Sequence, residues 1–305
     1  MSILTVRHVT RYGYSEPVSF GEHRMMLRPR ESHDLRLIST SLSITPRPST
    51  LRWLHDVFDN SVAITTFDGT AVELTVDSTI TLEHIETSVP DYALEYGARD
   101  YPFEYAEDEW PDLRNAVTRR YPDDDVRPWT SRFLSSSGTA TTMLLLNQIT
   151  RTISDEFAYV RRTKKGVQSP SETLRLHSGS CRDFAVLMME AVRSLGFAAR
   201  FVSGYIFVAG DRSVNGGGAT HAWMQVYLPG AGWIDFDPTN SIVGNRNLIR
   251  VAVAWDQGSA LPLWGTFTGS GNLHHTMSVG VSVVEEATLP PRLEWPSPLL
   301  ESGGY

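Results

Sequence analysis

The stretch Ser178–Phe197, SGSCRDFAVLMMEAVRSLGF, decides the reading of this chain. Phe184, Leu187, Met188, Ala191 and Leu195 recur at three- and four-residue steps, so one face of a helix is apolar. Gly196 supplies the left-handed residue on which helices end. Ser178 or Ser180 can cap the start, where unpaired N–H groups and the helix dipole favour an anion. Cys181, the single cysteine, falls in that first turn, where a thiolate forms most readily and acts as a nucleophile. A lone cysteine is more often a small buried hydrophobe. Here its neighbours Gly179, Ser180, Arg182 and Asp183 are polar or small, and the helical face runs back to Ser180 and Cys181, which places the thiol under the helix end.

Working outward, two alternating runs follow the helix. Residues 198–208 are β-rich. Residues 219–228 put His221, Trp223, Gln225 and Tyr227 on one face of a strand and Ala222, Met224, Val226 and Leu228 on the other. Gly230–Gly232 makes a turn and Trp233–Asp237 returns as the partner strand before Pro238. A nucleophilic thiol needs a base within reach and a third group to orient it. His221 is the candidate base, and across a hairpin it can meet Asp235 or Asp237. Both aspartates share a face, so alternation does not choose between them. Upstream, residues 140–157 read as another helix.

The N-terminal part, from Thr5 to about Glu86, is all-β. Val62, Ile64 and Thr66 alternate before Asp68-Gly69, and Val72, Leu74, Val76, Ile80 and Leu82 follow at even steps, a hairpin signal. Residues 35–44 form another strand, and short strands at this spacing suggest a sandwich. Residues 87–139 carry Pro90, Pro102, Pro111, Pro122 and Pro128 with acidic clusters, as a connector with short helical pieces would. β signal resumes over 251–284, and the Pro-, Ser- and Gly-rich stretch from Leu289 reads as a loose surface tail. The expected organisation is an N-terminal β-sandwich (1–90), a connector (91–139), an α+β catalytic core (140–250) and a C-terminal β extension with its tail (251–305). The sandwich is expected to hold its own core and to be separable from the triad residues.

With 305 residues, 41 % hydrophobic content and 20 % charged, the chain is globular. A net charge of −8 without long like-charge blocks argues against nucleic acid or an anionic membrane as the main partner. No apolar run is long enough for a membrane span and the first residues lack a leader pattern. One cysteine forms no internal disulfide, which fits a reducing compartment, with cytoplasm as the default. Asn215–Gly218 resembles a mobile lid more than a phosphate cradle, since no Lys-Ser/Thr follows. A zinc site from His274, His275, Cys181 and His221 lacks ligand spacing, so no metal or cofactor is expected.

The residues GSCRDFAVLMMEAVRSLGFAARFVSGY and THAWMQVYLPGAGWIDFDPTN together resemble the bacterial transglutaminase-like superfamily of papain-type cysteine enzymes. The likeness rests on the Cys181–Ala185 helix start, Gly204-Tyr205, His221-Ala222-Trp223 and Asp237-Pro238-Thr239, and covers roughly residues 140–245. RYGYSEPV, MMLRPRES and HDVFDNSV are similar to the β-sandwich that precedes this core in many bacterial members, with Asp59 where the family usually has Gly. The resemblance implies an α+β, papain/transglutaminase-like core in which the Cys-bearing helix packs on an antiparallel sheet. It selects Asp237 as the third member of a Cys181–His221–Asp237 triad. It also implies acyl transfer on an amide bond of a peptide or protein, with hydrolysis preferred over cross-linking or deamidation and over a silent binding module. Trp223 and Tyr205 are candidate substrate contacts. Oligomeric state is left open.

Overall fold

In the computed structural model, residues 2–86, 92–121, 125–162, 166–207, 215–270 and 274–286 are described. The N-terminal region is built on one long strand, β1 (Ser2–Arg28), followed by β2 (Leu35–Thr45), β3 (Thr50–His55), β4 (Ser61–Thr66) and β5 (Ala71–His84). Its order is β2-β5-β1-β4-β3. The first half of β1 pairs with β5 from Ser2 to Gly13, and the second half pairs with β4 from His23 to Arg28. Three register shifts along β1, at 13–18, 20–23 and 25–28, bend it so that the two halves face each other. Met25, Leu27 and Ala63 of one half then pack on Val76, Leu42 and Ile44 of the other. Asp59, the departure from Gly, takes φ 62°, and its turn is kept.

The middle of the chain supplies five helices: α1 (Trp110–Val117), α2 (Val126–Ser131), α3 (Thr142–Glu156), α4 (Pro170–Leu176) and α5 (Cys181–Ser194). The apolar spacing that predicted α5 is used in full, and the helix is enclosed on nearly all sides: residues 183–193 are buried without exception. Phe184, Leu187 and Met188 meet Leu145, Leu146, Ile149 and Ile153 of α3. Each such side chain contributes roughly 1.5–3 kcal/mol when removed from water. The buried Glu190–Arg193 pair, 3.0 Å apart, ties down the connector. Glu190 accepts from the N–H groups of Arg120 and Tyr121, and Arg193 donates to the carbonyls of Ala116, Ala199 and Trp255.

Behind α5 stands an antiparallel sheet of β6 (Ala199–Ile206), β7 (His221–Leu228), β8 (Gly232–Asp237) and β9 (Leu248–Ala254), in the order β8-β7-β6-β9, with a short strand at Ile242–Val243 on the outer edge of β8. Ala222, Met224, Val226 and Leu228 face the helix, as the alternation of β7 requires. This is an α+β fold with a helix-on-sheet core.

The last two strands, β10 (Leu263–Thr268) and β11 (His275–Glu286), return to the N-terminal sheet and both pair with β1. The region also shares a hydrophobic core with the catalytic sheet: Leu4, Val6, Ile80 and Leu82 pack on Tyr205, Phe207, Ile249 and Val251. Asn60 adds a two-point clamp, its amide accepting from the N–H of Val253 (2.9 Å) and donating to the carbonyl of the same residue (2.8 Å). Packing of this kind differs from the expected self-contained sandwich, because its face covers the catalytic sheet as well as its own second half. The tail expected from Leu289 lies outside the described residues. No described helix is long and apolar enough to cross a membrane.

Candidate active site

Cys181 begins α5, and the turn before it is fixed by one carboxylate. Asp183, fully buried, accepts from the N–H and hydroxyl of Ser180 (both 2.8 Å) through Oδ2. Its Oδ1 accepts from Arg162 (2.6 Å) and from the N–H of Gln168 (2.7 Å). The carboxylate thus joins the helix start to the segment that runs past it, and the thiol sits where three chain segments converge.

His221 opens β7 and Asp237 closes β8. The ring Nε2 donates to Asp237 Oδ2 at 2.8 Å, with both side chains buried. Asp237 is held from two further directions: Oδ1 accepts from the N–H of Thr239 (2.9 Å), and Oδ2 accepts from Asn240 Nδ2 (2.9 Å). Burial works hardest on His221 and alone would lower its pKa. The charge and hydrogen bond of Asp237, then the hydrogen bond and charge of Cys181, outweigh it and push the pKa up to about 10. For Asp237 burial again opposes, and the charge and hydrogen bond of His221 prevail and hold its carboxyl below the usual range. Both directions describe an imidazolium–carboxylate pair. Cys181 is close enough to act on the ring, and Nδ1 is the nitrogen that Asp237 leaves for it.

The choice between the two aspartates is resolved by the diagonal of the hairpin. Met224 lies opposite Phe236, and both contacts run along the same diagonal: His221 to Asp237 and Trp223 to Asp235. Trp223 Nε1 donates to Asp235 Oδ1 at 2.6 Å. The indole lies 5.8 Å from the imidazole, nearly parallel to it, and walls off the His221–Asp237 bond from water. It can lie flat on the sheet because residue 204 is glycine: a Cβ there would sit 2.7 Å from the indole and 2.1 Å from the carbonyl oxygen of Ile249. Asp235 thus holds the tryptophan, not the histidine.

The two candidate substrate contacts lie in the interior. Trp223 is fully buried in this supporting role, and Tyr205 is buried beneath the N-terminal sheet, where its hydroxyl meets His8 Nδ1 at 2.9 Å. Neither offers a surface to a substrate. Two residues near Cys181, His221 and Asp237 were not singled out from sequence, namely Asn240 and Tyr159, and a third, Gly216, belongs to the stretch read as a lid. Asn240 holds Asp237 and also grips the loop at residue 215, donating to the carbonyl of Asn215 (3.2 Å) and accepting from its N–H (3.1 Å). Tyr159, half-buried, pairs across from Gly179, and burial raises its pKa, with the charges of Cys181 and Asp237 adding to the effect and Arg161 and Arg182 opposing it. Gly216 lies against the histidine ring: at φ +89°, a Cβ there would stand 2.5 Å from Nδ1. Asn three places after the triad Asp was the legible signal for Asn240, while Tyr159 lies 22 positions upstream of the thiol and gave none.

His275 packs on Tyr14 and Phe267 in the sheet, and among the described residues no group of three or more His, Cys, Asp or Glu is arranged to hold a metal.

Two sequence families match the chain: the bacterial transglutaminase-like N-terminal region over residues 4–83, and the transglutaminase-like superfamily over residues 132–238. Residues 132–238 thus match a transglutaminase-like superfamily domain, preceded by the N-terminal region found in its bacterial members. Over nearly its whole length this chain shares a fold with a provisionally assigned cysteine protease from Cytophaga hutchinsonii, at a TM-score of 0.67 and 18 % identity, covering 95 % of this chain and 93 % of that one. An uncharacterized protein of Mycobacterium leprae is 35 % identical over 115 residues, 37 % of this chain and 40 % of that protein. Another from Mycobacterium tuberculosis is 32 % identical over 145 residues, 45 % of this chain and 46 % of that protein. The matched stretch thus spans less than half the length of either relative. At 18 % identity the likeness to the Cytophaga hutchinsonii protein is one of fold.

Proposed function

We propose that the protein is a thiol acyl transferase that hydrolyses an amide bond in a peptide or protein. The observation that carries this reading is the 2.8 Å bond from His221 Nε2 to Asp237 beside a cysteine at the start of α5. In this reading the Cys181 sulfur attacks the scissile carbonyl and forms a thioester. His221, kept protonated by Asp237, gives its Nδ1 proton to the leaving amine. Water then enters, Nδ1 takes its proton, and the acyl group leaves as a carboxylic acid with the thiol pair restored. Asp237 holds the ring orientation throughout and stabilises its charge. The backbone N–H of Cys181, in the first turn of α5, is the natural donor to the oxyanion.

Hydrolysis is placed before amine transfer because nothing in the sequence marks a pocket for an amine. The lone unpaired cysteine supports a reducing compartment such as cytoplasm. The test is to incubate the protein with a mixed peptide library, with and without a primary amine, and to read products by mass spectrometry. Cleavage that disappears in Cys181→Ala, with the fold intact by circular dichroism, is the expected result. Amine adducts would move the assignment to transamidation, and an inert thiol with no products would reduce the protein to a binding module.

A further inference from the structure

The most basic stretch of an otherwise acidic sequence is Arg161-Arg162-Thr163-Lys164-Lys165, and its described residues, Arg161 and Arg162, lie close to the nucleophile. The structure fixes where its first residues lie. Ala158 and Tyr159 pair in parallel with Ser178 and Gly179, and the N–H of Val160 donates to the carbonyl of Gly179 (2.8 Å). One step beyond Arg161, Arg162 is anchored on Asp183 in the first turn of α5. Arg161 is therefore bracketed between two residues bound to either side of Cys181. From the other direction comes Arg182, the residue after the nucleophile in the helix.

These arginines differ from the rest of the neighbourhood. Arg162 is neutralised by a buried carboxylate, whereas Arg161, exposed, and Arg182, half-buried, make no ion pair or hydrogen bond to protein among the described residues. Tyr159, two residues before Arg161, feels the charges of both arginines as well as those of Cys181 and Asp237, so all four lie within electrostatic reach of one phenol. Guanidinium groups recognise carboxylates through paired, charge-assisted hydrogen bonds. Two of them left without a protein carboxylate, in a chain of net charge −8, have a charge to be met from outside.

We propose that Arg161 and Arg182 form an anionic subsite beside Cys181, so that the substrate carries a carboxylate next to the amide bond attacked. The proposal rests on the reading of Cys181 as a nucleophile and names the class of substrate: acidic peptides, with a side-chain or terminal carboxylate one or two residues from the scissile bond.

The test uses the full chain and two alkylating reagents of equal size, iodoacetate and iodoacetamide. Each forms a C–S bond at Cys181 and releases iodide; only the first carries a carboxylate. The quantity read is the ratio of their rate constants. In wild type the ratio exceeds that of free cysteine, and in Arg161→Gln/Arg182→Gln it falls about tenfold, as loss of two partly exposed charge contacts implies. The Arg161→Lys/Arg182→Lys protein recovers most of the ratio, which separates charge from packing. An unchanged ratio in the glutamine variant overturns the subsite. The ratio is defined whatever the absolute speed, so a thiol no faster than free cysteine toward either reagent would count against the nucleophile reading alone. Paired peptides differing only by Glu or Gln beside the cleaved bond give the second readout: the Glu peptide has the lower KM in wild type, and the two become equal in the glutamine variant. Equal KM values in wild type would likewise sink the proposal.

Discussion

Gly216→Ala isolates the contact between the 215–218 loop and His221, the proposed catalytic base. At φ +89° the added methyl group costs about 1 kcal/mol of backbone strain. The methyl also stands 2.5 Å from Nδ1, 3.3 Å from Cε1 and 3.4 Å from Cγ of His221, where ordinary contact begins near 3.4 Å. Ring or loop must yield by about 1 Å at Nδ1, and displacement on that scale in an active site costs on the order of 100-fold in rate. The loop is not free to retreat, because Asn240 holds residue 215 by two hydrogen bonds and the carbonyl of Gly218 accepts from the N–H of Val281 (3.1 Å). Gly218→Ala is the matched control: φ is +74° and nothing lies within 4 Å of the added atom, so it pays the backbone cost alone. Both variants should melt a few degrees below wild type or less, measured by calorimetry. Only Gly216→Ala should lose about 100-fold in kcat/KM on a peptide substrate, or in the rate of Cys181 alkylation. Equal activity in the two variants would refute the inference that this loop sets the position of the imidazole.

Four further outcomes follow from the geometry. Asp237→Asn should lower kcat by at least about 100-fold, short of the ~10⁴ seen where a neutral hydroxyl must be activated, while Asp235→Asn, which still accepts from Trp223, should cost far less; the reverse order in steady-state kinetics would reassign the triad. His8, buried against Tyr205, has its pKa lowered to about 4, chiefly by desolvation. A depressed pKa in the folded state means that its contribution is present above the unfolded value near 6.5 and is lost as pH falls through about 4. His8→Gln should therefore flatten the loss of stability across that window in denaturant titrations, with His23 and His84, also lowered by burial, accounting for what remains. Asn60→Ala leaves the N–H and carbonyl of Val253 buried without partners and should cost about 2–4 kcal/mol. A chain starting at Tyr92 should be molten in a thermal melt, since it strips the cover from Tyr205, Ile249 and Val251.

The helix of Cys181 and the hairpin of His221 were legible because their periodicities are local: steps of three and four in α5, steps of two in β7 and β8. The triad acid was not legible from periodicity, since Asp235 and Asp237 share a face; the motif separated them, and the diagonal of the hairpin supplies the physical reason. β1 was hidden by its own residues. Gly13, Pro17 and Gly21 read as breaks, yet the strand passes through them by shifting register against its partners. Tyr159 and the return of β10 and β11 to β1 depend on pairing over long separations, which leaves no periodic trace. Burial of Tyr205 also escaped the sequence, because the sheet that covers it comes from the other end of the chain.

The pairing of β11 with β1 carries a consequence for biosynthesis. Residues 275–286 leave the ribosome after Cys181, His221 and Asp237, and long after their partner on β1. Until they arrive, one flank of β1 stays open and the carbonyl of Gly218 lacks the N–H of Val281, so the loop over His221 is unlatched on that side. A nascent chain can thus carry every reactive group of the triad while the loop that shapes it is still unfinished. The set of the His221 ring waits on a strand made some fifty residues after it.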